Sequence, residues 1–216
     1  MNFAELLNRY KVELSIFTVW LFHVSAVIGI LIGYKDWFLP LTPLNLLVCL
    51  GLILWNIPAL KIQDLSLLLV PFVLGMVAEI LGVNYGLIFG SYDYGANLGW
   101  KFMGVPLTIG MNWTILVFIT ASIVQRWVKN IVLGALLASA LMVLLDLVIE
   151  IVAPRFDFWE FDGGEVPLQN FIGWFAVAFL AQLIHFRFFK KHQFKLSVGI
   201  ALAFFFFFGF FAVVEI

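Results

Sequence analysis

Seven stretches of about 18 to 24 mostly apolar residues dominate this chain, each long enough to cross the roughly 30 Å hydrocarbon core of a bilayer as a helix. They run at about 14–33, 43–60, 65–82, 105–124, 130–152, 168–188 and 196–214. Backbone N–H and C=O groups in lipid must be satisfied within their own segment, so such runs are read as helices. Of the 216 residues 64% are hydrophobic and only 12% charged, whereas a soluble domain has about a quarter charged. Lipid is therefore the solvent for most of the surface. The expected fold is an all-α polytopic membrane bundle of about seven transmembrane helices, a single domain over residues 1–216. Trp55-Asn56-Ile57-Pro58 interrupts the end of the second run, and Pro71 is expected to kink or restart the third. Glu5, Arg9, Lys11 and Glu13 precede the first run with no small-residue cleavage site, which reads as a retained helix rather than a signal peptide.

Charge orients the bundle. With seven spans, nine of the twelve Lys and Arg fall on the side of the N-terminus and of the second, fourth and sixth connections. Only Lys35, Lys101 and Arg155 fall on the other side. The positive-inside rule then places the N-terminus in the cytoplasm. The expected location is the cytoplasmic (inner) membrane of a bacterial or archaeal-type cell. Asp36, Asp93, Asp157, Glu160, Asp162 and Glu165 fall in outer connections, and the two long connections, about 83–104 and 153–167, are both outer. A net charge of −1 and the absence of a basic stripe give no sign of a nucleic-acid partner. The single cysteine, Cys49, lies in an apolar run and reads as a packed core thiol.

Three carboxylates lie within the apolar runs: Glu79, Asp146 and Glu150. A charged side chain there costs roughly 2.5 to 3.5 kcal/mol on insertion scales, so groups that are retained mark a site. Asp146 and Glu150 are four apart and share a helix face. Two carboxyls close together in a medium of low dielectric resist ionising together, and one keeps a proton it can donate. Glu79 can take either role if it packs against that face. The alternative for each is to snorkel to water from near a helix end, an alternative strongest for Glu150.

The segment from Glu79 to Gly95 is the densest pattern. Gly82, Gly86, Gly90 and Gly95, with Phe89, Tyr92 and Tyr94 between them, suit a re-entrant, partly buried loop, or else an aromatic belt at the membrane interface. The second long connection, Phe156 to Pro167, mixes aromatics with acids but lacks the regular oxygen spacing of a hard-metal loop. A solvated interfacial loop is expected there. Asn112 and Trp113 in the fourth span, and Asn170 and Trp174 in the sixth, place amides where an asparagine hydrogen-bonds a neighbouring helix. His23 is expected to make an interhelical hydrogen bond, and His185 and His192 to be solvated. Gly134 and Ala138 allow close helix packing. The run Phe204 to Phe208 reads as a lipid-facing or packing surface. No HExxH, GxSxG, GxGxxG or P-loop is present, and the seventh span carries no lysine for a Schiff base.

These segments resemble the membrane carotenoid biosynthesis family, whose characterised members include carotenoid 1,2-hydratases of the CruF type. The resemblance rests on Glu79-xx-Gly82-Val83-xx-Gly86-xx-Phe89-Gly90-x-Tyr92-x-Tyr94, on Val105-Pro106 followed by Trp113, on Asp146 with an acid at 150, and on Pro167-xx-Asn170-xx-Gly173-Trp174. It covers about residues 75 to 175. The chain departs from the family pattern at Glu150-Ile151, where the pattern has Asp-Pro, and in the second outer loop, where Trp159 stands in place of a Trp-x-Trp.

The resemblance implies addition of water to the terminal 1,2 double bond of an acyclic carotenoid end, of the lycopene or γ-carotene type. It implies no cofactor and no metal. Glu79, Asp146 and Glu150 are then the catalytic acids, and Tyr92, Tyr94, Trp113, Trp159, Asn170 and Trp174 the substrate-binding residues. Gly82, Gly86, Phe89 and Gly90 shape the loop. The partners are a carotenoid dissolved in membrane lipid, water, and other enzymes of the carotenoid pathway. Two other readings of the same residues are a proton- or cation-coupled transporter and a carotenoid- or lipid-binding protein without chemistry.

Overall fold

A computed structural model describes residues 3–215. Eight α-helices account for most of it: α1 (Phe3–Leu31), α2 (Lys35–Phe38), α3 (Thr42–Asn56), α4 (Ile62–Tyr85), α5 (Leu107–Val124), α6 (Ile131–Val152), α7 (Leu168–Phe188) and α8 (Phe194–Val213). A 3-10 turn at Leu39–Leu41 joins α2 to α3, so these two make one apolar length. Among the described residues seven helical lengths can cross a membrane, which makes this a multi-pass membrane protein. The expected all-α bundle is observed. The second span begins earlier than expected, at Lys35, and ends at Asn56 before the Ile57-Pro58 interruption. The helix α4 runs unbroken through Pro71, so there is no restart.

Local chemistry sets the helix ends. At the start of α4, Asp64 accepts from the Lys61 backbone N–H at 2.7 Å, the half of a capping box that the third helical residue supplies. At its end Gly86 takes a left-handed conformation (φ +65°) and bonds back to Gly82, a turn that glycine adopts without strain. Asn130 caps α6 by accepting from Leu133 N–H at 3.0 Å.

The helix α5 is the axis of the bundle. It packs on α3, α4, α6, α7 and α8, and 78% of it is buried, where every other span buries less than half. Gly75 lets α4 close on it: a Cβ there would lie 2.3 Å from Trp113 Cγ. Within the membrane layer Gln182 of α7 donates to Val117 O (3.2 Å) and Thr120 Oγ1 (2.8 Å), tying α7 to α5. Gly134 packs α6 against Phe186 of α7, within one chain. Cys49 is fully buried, and Phe204 and Phe207 pack inward while Phe205 and Phe206 face out.

The two long connections are not independent. Short strands β1 (Tyr92–Tyr94) and β4 (Trp159–Phe161) pair antiparallel, with Tyr92 opposite Phe161, Asp93 opposite Glu160 and Tyr94 opposite Trp159. A second ribbon joins β2 (Lys101–Phe102) to β3 (Val105–Pro106). The expected solvated loop at 156–167 is corrected here. Its acids face solvent, but Phe156, Phe158 and Phe161 are buried: Phe161 packs on its cross-strand partner Tyr92, while Phe156 and Phe158, ahead of the strand, pack on Phe207, Phe211 and Phe208 of α8. His185 is also corrected. It is 3% exposed and stacks on Phe189 with ring centroids 4.8 Å apart, since α7 turns it inward against α5 rather than outward with the lysines. His192 is exposed, as expected, and its imidazole is held down at a pKa of about 4 by partial desolvation first and then by the charges of Lys129 and Lys190. His23 does bridge helices: its Nδ1–H donates to Val19 O at 2.7 Å, which leaves Nε2 to accept from Asn45 of α3 at 3.4 Å.

Candidate functional site

All three intramembrane acids lie at the end of the bundle that carries the two paired loops, and all are buried: Glu79 is 2% exposed, Asp146 1% and Glu150 6%. None snorkels. They form two groups with different hydrogen bonding.

Glu79 projects from α4 into a set of donors. Trp113 Nε1–H of α5 donates to Oε1 at 3.0 Å, Tyr94 donates to Oε2 at 2.7 Å, and Tyr92 donates to the same oxygen. The two tyrosines reach one carboxylate because positions i and i+2 of β1 point the same way. Gly82, one turn along α4, makes room for them: a Cβ there would lie 2.8 Å from the Tyr92 hydroxyl. Both phenols are pushed well above their ordinary pKa, by burial first and then by the Glu79 charge, so they remain protonated donors. Indole N–H can only donate. Glu79 thus has the partners of an ionised carboxylate.

Asp146 and Glu150 lie one turn apart on α6. Asn170 of α7 donates its amide to Glu150 Oε1 at 2.8 Å and to Asp146 Oδ2 at 3.5 Å. Trp159 of β4 donates Nε1–H to Glu150 Oε2 at 2.8 Å. Asp146 Oδ1 is buried with no partner. Among the described residues no cation pairs with any of the three acids, the one ion pair being Lys191–Asp64 at the other end of the bundle. Asp146 and Glu150 are thus two adjacent buried carboxyls without a counter-ion, one of them short of donors.

A cavity of about 20 Å³ separates the two groups and is walled by Glu79, Tyr92, Tyr94, Glu150, Asn170, Asn112 and aromatic rings. That is room for one water molecule. The aromatic wall includes Phe89 and Trp174, and Trp174 stacks on Trp113 at 4.2 Å between centroids. Asp146 and Trp113 stand behind this wall, each touching it through a residue that lines it. Gly90, in a left-handed conformation (φ +100°), turns the chain beside Pro167 so that Phe89 enters the cavity.

The register of β1 against β4 couples both groups. Tyr94 bonds Glu79 while its cross-strand partner Trp159 bonds Glu150, so one ribbon delivers a donor to each side of the cavity. Lys101 Nζ donates to Tyr94 O and Asp157 accepts from Ala96 N–H at 2.8 Å, which fixes the ribbon to its neighbours.

Beside this chamber lies a cleft of about 370 Å³, within the size of ligand sites, between α1, α2, α3 and α8. Its wall is largely apolar, and Leu21, Phe22 and Trp37 carry it to the exposed face of the helices. Ile109, Asn112 and Trp159 line both spaces. The cleft is not visible in the sequence, where His23, Asn45 and the surrounding apolar residues carry no pattern. Among the described residues no group of three or more His, Cys, Asp or Glu side chains is set to hold a metal ion.

The bundle of apolar spans thus carries a small acidic chamber beside a larger apolar cleft, the two sharing Ile109, Asn112 and Trp159 in their walls. The chain belongs to the carotenoid biosynthesis protein family, whose sequence model matches residues 43–216. No curated protein and no solved structure matches it.

Proposed function

We propose that the protein hydrates the terminal double bond of an acyclic carotenoid end. The observation that carries this reading is the shared wall of Ile109, Asn112 and Trp159, which joins an apolar cleft to a one-water chamber bearing two kinds of carboxyl. The polyene lies in the cleft with its isopropylidene end at the chamber. The Asp146–Glu150 pair holds a proton, and Glu150, which lines the chamber, delivers it to C2. A tertiary cation forms at C1 and faces Trp174, Phe89 and Tyr92, whose π-faces attract positive charge. Water adds to C1, and Glu79, kept ionised by its three donors, takes the released proton. The product is a tertiary alcohol, and the proton returns from Glu79 to Glu150 before the next turnover. Any reaction of this kind needs an acid and a base held in opposite protonation states, which their different hydrogen bonding supplies. The charge bias of the loops supports a reacting end at the non-cytoplasmic surface. Expression in a host that accumulates lycopene, with pigments followed by mass, tests the proposal. Each modified end is expected to gain one water, and unchanged lycopene in cells holding the intact protein would refute it.

A further inference from the structure

We propose that Asn112 binds the water that attacks the cation, an assignment that rests on the hydration reading above. Asn112 lies on α5, the most buried helix of the bundle. Among the described residues it makes no hydrogen bond, and its amide is open to the cavities rather than sealed against protein. Asn112 is half-buried on an apolar bundle with no partner from the protein, so its amide is set to meet something the protein itself does not supply. The other polar side chains of the chamber wall are already bonded to one another or to their neighbours: Glu79 with Tyr92 and Tyr94, and Glu150 with Asn170 and Trp159.

Position decides what that partner is. Asn112 is one of three residues that border both the chamber and the cleft, and the other two, Ile109 and Trp159, offer an apolar side chain and an indole already engaged with Glu150. A water at this junction donates one hydrogen to the Asn112 carbonyl and one to Glu79, which leaves a lone pair for the carbon arriving from the cleft. Two or more polar partners are what a buried water needs. In the step itself the water oxygen forms its bond to C1, its proton passes to Glu79, and Glu150, having given its proton to C2, is left as the carboxylate.

Removing the amide therefore separates protonation from hydration. Without water held at C1, the cation loses a proton back to Glu150, from C2 or from a terminal methyl, and returns the alkene or its positional isomer. The experiment uses the full chain in membranes with lycopene in deuterated water. In Asn112→Leu, which keeps the branching of the side chain and removes its polar atoms, the alcohol is expected to fall about 100-fold, as on loss of one positioned polar group in a catalytic site. Deuterium uptake into the recovered hydrocarbon is expected to persist or rise. Asn112→Ser, which keeps a hydroxyl at the junction, is expected to restore part of the alcohol. Undiminished alcohol in Asn112→Leu overturns the assignment. So does a joint loss of alcohol and deuterium uptake in both variants when the wild type hydrates. A wild type that forms no alcohol and takes up no deuterium overturns the hydration reading itself, and this assignment with it.

Discussion

Replacing Glu150 by glutamine removes a transferable proton while changing little else, and the size of each effect follows from the contacts. Glu150 accepts from Trp159 and Asn170, both at 2.8 Å. A glutamine can keep its oxygen on the indole N–H, which only donates, and turn its NH₂ toward an Asn170 amide flipped to accept. Two bonds to a protonated carboxyl become two bonds to a neutral amide, so the loss stays below about 1 kcal/mol. For a chain of this size a loss of about 1 kcal/mol lowers Tm by about 2–4 °C, which bounds the effect. A general acid contributes about 100- to 10,000-fold to rate, so product formation should fall by that factor in protein that still inserts. Pigment mass analysis measures the loss of product, and thermal unfolding of the detergent-purified chain measures the loss of stability. A variant with normal Tm and more than a tenth of wild-type product would refute the assignment of the proton to Glu150.

Tyr94→Phe deletes one donor to Glu79, and losing one bond to a charged acceptor, about 1.5 kcal/mol, should slow hydration about tenfold; the initial rate of alcohol formation checks this. Asn170→Leu strips the shared donor from both carboxyls of α6 and should lower Tm by more than Glu150→Gln does, which parallel melts will show. Gly95→Ala places a Cβ 2.2 Å from the main-chain oxygen of Asp157; backbone cannot yield as a side chain can, so overpacking of about 1–3 kcal/mol should loosen the paired loops and depress Tm and turnover together. Ala26→Trp fills the cleft wall without touching the chamber and should suppress carotenoid conversion while leaving Tm near that of the wild type.

The spans could be read from the sequence because the bilayer imposes a length and an apolar character that few alternatives satisfy. Their ends were read less closely, since a Pro such as Pro71 is tolerated in a membrane helix and Lys35 can begin an apolar length through a short helix and a turn. Glu79, Tyr92, Tyr94, Trp113, Glu150, Trp159, Asn170 and Trp174 do meet in one place, and their motif spacing pointed there. The hydrogen-bond pattern that separates Glu79 from the α6 pair did not follow from spacing, because it depends on a ribbon of three-residue strands too short to leave a periodic signal. The second loop buries its phenylalanines for a similar reason: Phe161 pairs across the ribbon with Tyr92, and Phe156 and Phe158 pack on the distant helix α8. Asp146 stands behind the chamber wall because Asn170 fills the space before it, a contact between distant helices. His185 looked solvated from its basic neighbours, but a helix changes face within two residues, and burial followed the face rather than the neighbourhood.

Purified protein supplied with lycopene in oxygen-18 water gives the most direct measure of whether the chamber adds water to an isoprenoid end. The mass spectrum should show a tertiary alcohol carrying one heavy oxygen for each hydrated end, abolished in Glu150→Gln and in Glu79→Gln. Pigment recovered without heavy oxygen from folded wild-type protein, or labelled equally by both variants, would contradict the account.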